Sequence, residues 1–387
     1  MKHLTIGLDA KRIVRNGTGL GSYGRTLAND LSAQEGLNLR LYVPDLGRED
    51  LSRQVPERQN LHYCLPVYPL TYHLLPLTSL RKALWRSRSI VGQLQDDRVD
   101  VYHGLSGELP FGIKRAGIKT VVTIHDLIFL RHPEFYNWLD TKIYARKFRQ
   151  TLREADRIVA ISECTRRDIA ELGDIDSSRI DLIYQSCAPR FSAEVGRQKL
   201  AEVSQKYQLP ERYVLSVGSI EERKNTLLAL RALHWLPGEV HLVLVGKSTK
   251  YLKTLVTYAN RNNLAARLHL LHGVPDDDLP ALYSGAEVFV YPSRYEGFGI
   301  PVIEAVRMGL PVVGCTGSCL EEAGGPDNLY VQPDDAEAMA QAIMRLQRGA
   351  DGREERIARS MEYVRRFENN DAARRFADLY EELAALP

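Results

Sequence analysis

The chain of 387 residues has no run of about 20 apolar residues, so no segment is expected to span a bilayer. Its one short apolar run near the start, Leu4 to Leu8, meets Asp9, Lys11 and Arg12 at once, so no secretory signal is expected. Cysteine is scarce and odd in number: Cys64, Cys164, Cys187, Cys315 and Cys319, without a C-x-x-C pair. Cys315 and Cys319 lie four apart, but no second Cys or His pair completes a zinc-finger spacing. All five therefore read as free thiols in a reducing compartment, and the expected location is the cytoplasm. Excess charge is lacking too. Lys and Arg number 51 against 49 Asp and Glu, a net +2, which gives no reason to expect nucleic acid as a partner. There is no repeat of 20–50 residues and no low-complexity tract.

What is present reads as globular: 44% hydrophobic and 26% charged residues, over a length that suits two domains. Short runs rich in Val, Ile and Leu alternate with longer amphipathic ones. Expected strands are Leu4–Ala10, Leu37–Val43, Leu61–Leu65, Val99–Gly104, Thr120–His125, Arg157–Ile161 and Ile180–Tyr184. The series restarts with Tyr213–Val217, Val240–Val245, Leu268–His272, Val288–Tyr291, Pro311–Gly314 and Tyr330–Gln332. Apolar side chains on both faces of a strand imply burial between helix layers, and strand–helix alternation implies parallel α/β sheets. Helices are expected at Ser22–Ala33 and Asn225–Leu236, and a final one at Ala372–Leu386 with Phe376, Leu379, Tyr380 and Leu383 on one face. The expected division is an N-terminal domain over 1–190, a C-terminal domain over 191–370, and a helix over 371–387 packing back on the first. Residues 1–190 carry 28 Lys+Arg against 22 Asp+Glu, so the first domain is mildly basic.

The most informative stretch is 291–314, YPSRYEGFGIPVIEAVRMGLPVVG. A strand ends at Tyr291, a loop Tyr295-Glu296-Gly297-Phe298-Gly299 follows, and Pro301 suits the first turn of a helix that Gly309 ends. Amides at such a helix start, with the helix dipole, favour an anion such as a diphosphate. Glu296 and Glu304, eight apart, suit sugar hydroxyls on either side of it, since a carboxylate accepts two O–H bonds.

Pro292-Ser293-x-x-Glu296-Gly297-Phe298-Gly299-x-Pro301-x-x-Glu304-Ala305 closely resembles the E-x7-E region of family 4 retaining glycosyltransferases. The resemblance extends over nearly the whole chain through Val217-Gly218 with Arg223-Lys224-Asn225, Leu282–Ala286, Thr123-Ile124-His125-Asp126 and Ala160–Glu163. It implies the GT-B fold, two Rossmann-like α/β domains with parallel sheets facing across a cleft. It also implies transfer of a mannose- or glucose-type hexose from a GDP- or UDP-linked sugar to a glycan or lipid-linked acceptor, in surface polysaccharide assembly, with no metal or other cofactor. By the same resemblance Glu304 binds the ribose hydroxyls, Glu296 the donor sugar, and Gly297, Phe298 and Gly299 approach the donor. Lys224 and Arg223 hold the diphosphate beside Gly218. Gly19 and Gly21 form a glycine loop on the donor's other side, and His125 lies near the reacting sugar. His103, Asp126 and Glu163 are secondary candidates. Ser219 stands where many members carry an arginine, and Arg223 is expected to take part of that load.

Three other readings compete. Gly19-Leu20-Gly21-Ser22-Tyr23-Gly24 with Asp45 matches a dinucleotide fingerprint, although about eight residues separate it from the preceding strand. A nucleotide-sugar epimerase of similar fold and a silent sugar-nucleotide-binding protein are the alternatives to transfer. Residues 77–94 place Leu77, Leu80, Leu84 and Trp85 beside Arg81, Lys82, Arg86 and Arg88. That pattern suits either a helix packed on its own domain or peripheral contact with an anionic membrane.

Overall fold

A computed structural model describes residues 3–69, 72, 77–368 and 371–386. The chain divides into two compact units, Met1–Gln185 with Asn370–Pro387, and Ser186–Asn369. The expected end of the second domain at residue 370 lies outside the described residues.

Unit 1 holds seven strands: β1 (Leu4–Asp9), β2 (Leu37–Tyr42), β3 (Leu61–Cys64), β4 (Val101–Gly104), β5 (Lys119–Ile124), β6 (Arg157–Ala160) and β7 (Ile180–Leu182). They form one parallel sheet in the order β3-β2-β1-β4-β5-β6-β7. Successive side chains of a strand point to opposite faces. Val101, Val121 and Val159 accordingly pack with Ile13, Leu27 and Phe376, while Tyr102, Val122 and Ile158 pack with Trp85, Leu94 and Phe148. This double burial is why the strands carry apolar residues throughout.

The C-terminal helix Ala372–Ala385 starts at Asp371, whose carboxylate accepts from Arg374 N, and packs on helix Gly19–Ser32 and on β1 and β4. Phe376, Leu379, Tyr380 and Leu383 are its buried side chains, each worth about 1.5–3 kcal/mol on burial. The last residues are thus part of the first unit's core.

Unit 2 holds β8 (Arg212–Val217), β9 (Val240–Val245), β10 (Leu268–Leu271), β11 (Val288–Tyr291), β12 (Val312–Cys315) and β13 (Leu329–Val331), parallel in the order β10-β9-β8-β11-β12-β13. Each sheet reverses strand order once, at β1/β4 and at β8/β11. The carboxyl ends of the strands flanking such a reversal are where open α/β sheets bind ligands.

Two local differences from the sequence reading matter. A short helix, Lys11–Arg15, intervenes between β1 and Gly19, and helix Gly19–Ser32 begins three residues before Ser22. The G-x-G-x-x-G run is therefore the first two turns of a helix rather than a strand-to-helix turn, and Asp45 is ion-paired to Arg15 and Lys82. The dinucleotide reading loses its structural context. In segment 77–94, Trp85, Ile90 and Leu94 are buried and Arg86 is turned inward. Most of that helix is committed to its own domain, which leaves Leu77 and Leu80 exposed.

Candidate functional site

In unit 2 the loops after β8 and β11 meet at the strand-order reversal. β8 runs into Gly218, whose φ of 151° lies in a region L side chains avoid. Its carbonyl sits so close to Gly246 that a Cβ there would come within 1.7 Å of it. A single turn, Glu222–Lys224, follows, and Asn225 closes it at φ 52°, its side-chain amide donating to Pro333 O at 2.7 Å. This turn points Arg223 and Lys224 back toward β11.

Lys224 Nζ donates to the Tyr291 hydroxyl at 2.8 Å, lies 5.0 Å from that ring's centroid, and pairs with Glu296 Oε1. Arg223 Nη1 reaches the same Glu296 oxygen and Tyr295 O, each at 3.1 Å. Burial alone would lower the Lys224 pKa, but the Glu296 carboxylate more than offsets it and the ammonium is held charged. Burial alone would raise Glu296, and the two cations hold it below the usual carboxylate range. Arg223 also pairs with Glu221 at 3.7 Å, so Lys224 is the cation that borders a small hollow lined by Gly218, Ser219, Lys224, Thr226 and Tyr291. The Thr226 hydroxyl is buried there without a partner among the described residues, an orphan that a ligand oxygen would satisfy.

The loop 295–299 is buried, and Phe298 is part of the core, packing edge-on against Phe367 at 5.2 Å. Only its backbone is placed to serve a ligand. Gly297 lies in the same buried loop. Gly299, at φ 103°, caps helix Ile300–Arg307. The anion site here is narrower than the sequence suggests. Pro301 brings no N–H, while Val302 and Ile303 donate to Gly299 O at 2.9 and 3.4 Å. The amides of Gly299 and Ile300 are the ones left without a partner among the described residues.

Glu304 is the fifth residue of that helix, in its second turn. Its Oε2 accepts from the Tyr283 hydroxyl at 2.8 Å. Burial pushes its pKa up to about 7, with the Tyr283 bond pulling the other way. Thus Arg223, Lys224 and Glu296 form one ion cluster, and Glu304 stands apart with its own tyrosine. Sequence reasoning missed Tyr283, Tyr291, Thr226 and Gly246. Tyr283 lies in the quoted Leu282–Ala286 stretch and Tyr291 ends a strand, so position alone marked them.

In unit 1, His125 is half-buried, with Nε2 at 2.8 Å from Leu105 O and Nδ1 at 2.8 Å from Gln185 Nε2. A carbonyl accepts and an amide donates, so the ring is the neutral Nε2–H tautomer with both nitrogens engaged. Burial lowers its pKa to about 4, against the Leu105 bond. His103 is buried between the Tyr380 and Thr123 hydroxyls at 2.6 and 2.8 Å, and serves the core. Asp126 accepts from Ile128 N, and Glu163 pairs with Arg166. The two glycines differ. A Cβ on Gly21 would lie 1.8 Å from Asn16 O, a packing demand, whereas a Cβ on Gly19 would meet nothing within 4 Å. Among the described residues nothing in the packing requires a glycine at 19.

Residues 17–186 match the family described as Glycosyltransferase Family 4, and residues 199–362 the family described as Glycosyl transferases group 1. The chain is 30% identical over 368 residues to the O-antigen chain mannosyltransferase B of Escherichia coli, covering 90% of this chain and 92% of that one. Its fold is similar to a glycosyltransferase from Rickettsia africae (TM-score 0.76, 18% identity, 100% of both chains). It is also similar to Anabaena HepE solved with UDP and glucose (TM-score 0.76, 16% identity, 98% of this chain and 100% of that one).

Proposed function

The chain belongs to the group 1 and family 4 glycosyltransferases, and on that premise we propose a metal-independent, retaining hexosyltransferase of surface polysaccharide assembly. The donor is a nucleotide diphosphate hexose, with mannose favoured by the likeness to the O-antigen mannosyltransferase. The observation that carries this reading is the pairing of Lys224 and Arg223 on one buried carboxylate beside the orphaned Thr226 hydroxyl.

The leaving nucleotide diphosphate gains negative charge as the glycosidic bond breaks. Fixed ammonium and guanidinium groups, with the Gly299 and Ile300 amides, stabilise that charge without reorganising, the role a metal takes elsewhere. Glu296, held ionised by the same cations, accepts hydroxyls of the donor sugar. Glu304 accepts the ribose hydroxyls once ionised. Gly218 lets the backbone approach the diphosphate, and in the first unit Gly21 is held against Asn16 O while Gly19 leaves open space where a side chain would stand. His125 acts as a neutral positioning residue that ties Leu105 to Gln185. Retention follows if the acceptor hydroxyl attacks on the face the diphosphate leaves, with a phosphate oxygen taking its proton. Product configuration by proton NMR tests retention: an inverted anomer refutes it. Full activity in excess chelator tests metal independence, and chelator-abolished turnover refutes it.

Among the described residues no helix is long and apolar enough to cross a membrane. The five free thiols fit a cytoplasmic enzyme. Peripheral contact with the inner membrane face through 77–94 rests on Leu77 and Leu80; equal liposome pelleting of the wild type and a Leu77→Ser/Leu80→Ser variant removes that contact.

A further inference from the structure

Resting on that reading, we propose that Tyr23 contacts the substrate, its hydroxyl donating a hydrogen bond to an oxygen of the transferred sugar. Thr123, His103 and Tyr380 are positioning residues that aim that proton outward. The four side chains come from four elements of unit 1: Tyr23 from helix Gly19–Ser32, His103 from β4, Thr123 from β5 and Tyr380 from the C-terminal helix. The Tyr380 hydroxyl lies 2.6 Å from His103 Nδ1, and His103 Nε2 lies 2.8 Å from Thr123 Oγ1. The longest link, 3.3 Å, joins Thr123 Oγ1 to the Tyr23 hydroxyl.

Proton counting fixes the direction of this chain. Burial keeps His103 neutral, with its pKa lowered to about 3, so the imidazole carries one N–H. Each hydroxyl carries one proton as well, and burial raises the pKa of both phenols. Four protons therefore serve three hydrogen bonds, and one is left over. Tyr380, His103 and Thr123 are fully buried, and a proton turned away from the chain there would meet no acceptor among the described residues, which is costly. Tyr23 is only partly buried. Tyr380 accordingly donates to His103 Nδ1, His103 Nε2–H to Thr123, and Thr123 to the Tyr23 oxygen. The Tyr23 proton points out of the chain, and each bond behind it polarises the next toward that end.

The surroundings give the ligand. The Tyr23 ring stands edge-to-face with His125 at 4.8 Å, the histidine that the family resemblance places near the reacting sugar. His125 has committed Nε2–H to Leu105 O and Nδ1 to Gln185, so it has no N–H to offer a ligand. The phenol beside it has an O–H to offer. One turn earlier on the same helix face, Gly19 leaves open space where a side chain would stand. A sugar oxygen accepts from such a donor, and a phenol that stays protonated supplies it throughout the neutral range.

The test follows turnover of GDP-mannose and the UDP-hexoses by the full chain. It is read as transfer to octyl α-mannoside and as slow release of nucleotide by hydrolysis, so that it does not depend on the natural acceptor. Tyr23→Phe should lower kcat/KM about tenfold, the size of one hydrogen bond between neutral groups, with the melting temperature nearly unchanged. Thr123→Val should lower kcat/KM severalfold and also the melting temperature, because His103 Nε2–H loses its acceptor. Thr123→Ser should keep both near the wild-type values. In Tyr23→Phe/Thr123→Val the fall in melting temperature should persist while the further loss of kcat/KM disappears, since Thr123 acts on turnover through Tyr23. Tyr380→Phe should behave as Thr123→Val does. Wild-type kcat/KM in Tyr23→Phe, or an equal loss from Thr123→Val in both backgrounds, overturns the proposal. A wild type that turns over none of these nucleotide sugars would instead refute the transferase reading, and the proposal with it.

Discussion

The two sheets each place charged or titratable side chains at their carboxyl ends, yet they use them differently. In unit 2, Lys224 and Arg223 converge on Glu296, and Lys224 borders a hollow where the Thr226 hydroxyl is unpartnered among the described residues. In unit 1, His103 and His125 have every ring nitrogen bonded within the protein and are held neutral by burial. A histidine with both ring nitrogens engaged inside the protein can position its neighbours, whereas a cation that borders a hollow can also meet a ligand. A sequence shows the residue type but not how its hydrogen-bonding capacity is spent.

The largest effect that would break this contrast is at Lys224. Lys224→Ala is expected to lower kcat by about 10²–10³, some 2.7–4 kcal/mol in the barrier, because a diphosphate cation is lost. It also leaves Glu296 with Arg223 alone, so the melting temperature should fall. The Lys224→Ala/Glu296→Gln double variant should recover that stability without recovering turnover. Recovery of both would make the cluster structural. Next are the glycines. Gly21→Ala should destabilise the first unit, since its Cβ would meet Asn16 O, whereas Gly19→Ala should fold normally and lose about tenfold or more in kcat/KM. Equal melting temperatures and equal activities for the two would erase the distinction.

Glu304 sharpens the comparison through pH. Its native pKa of about 7 exceeds the usual carboxyl value, so the fold favours the protonated form. Stability therefore declines as pH rises from about 4.5 to 7 and levels off above. Glu304→Gln should accordingly raise the melting temperature at pH 8 relative to wild type, and much less at pH 5. Donor binding needs the ionised carboxylate, so wild-type affinity should be about tenfold weaker at pH 6 than at pH 8, a dependence the Gln variant lacks. A flat wild-type profile would remove Glu304 from the ribose. The smallest effect is at His125. Its pKa of about 4 lies below the working range, so His125→Gln should leave the pH–rate profile above pH 5.5 unchanged and cost severalfold in rate. A lost basic or acidic limb there would show that the imidazole transfers a proton.

Much of the fold was legible because its signals are local. All thirteen strands lie within a residue or two of their apolar runs, and the final helix follows its Phe376–Leu383 face. Lys11–Arg15 was hidden because five residues make too short a period to detect, and its absence from the reading kept the dinucleotide match alive. Glu296 and Lys224 were readable as motif residues. Their partnership was not, since it depends on the αL turn at Asn225 and on the β8–β11 pairing that brings residues 72 apart together. The narrowing of the helix-start amides to Gly299 and Ile300 depends on where Val302 and Ile303 turn their N–H groups, which only coordinates reveal.

The central claim is that a nucleotide diphosphate sugar sits between the Lys224 cluster and Glu304. Its most direct test is the thermal shift of the wild type and Glu304→Ala with GDP-mannose and the UDP-hexoses at pH 8. One donor, at about 100 times its dissociation constant, should add about 2.7 kcal/mol to the wild type and nothing to the variant. An undiminished shift in Glu304→Ala would place the nucleotide elsewhere.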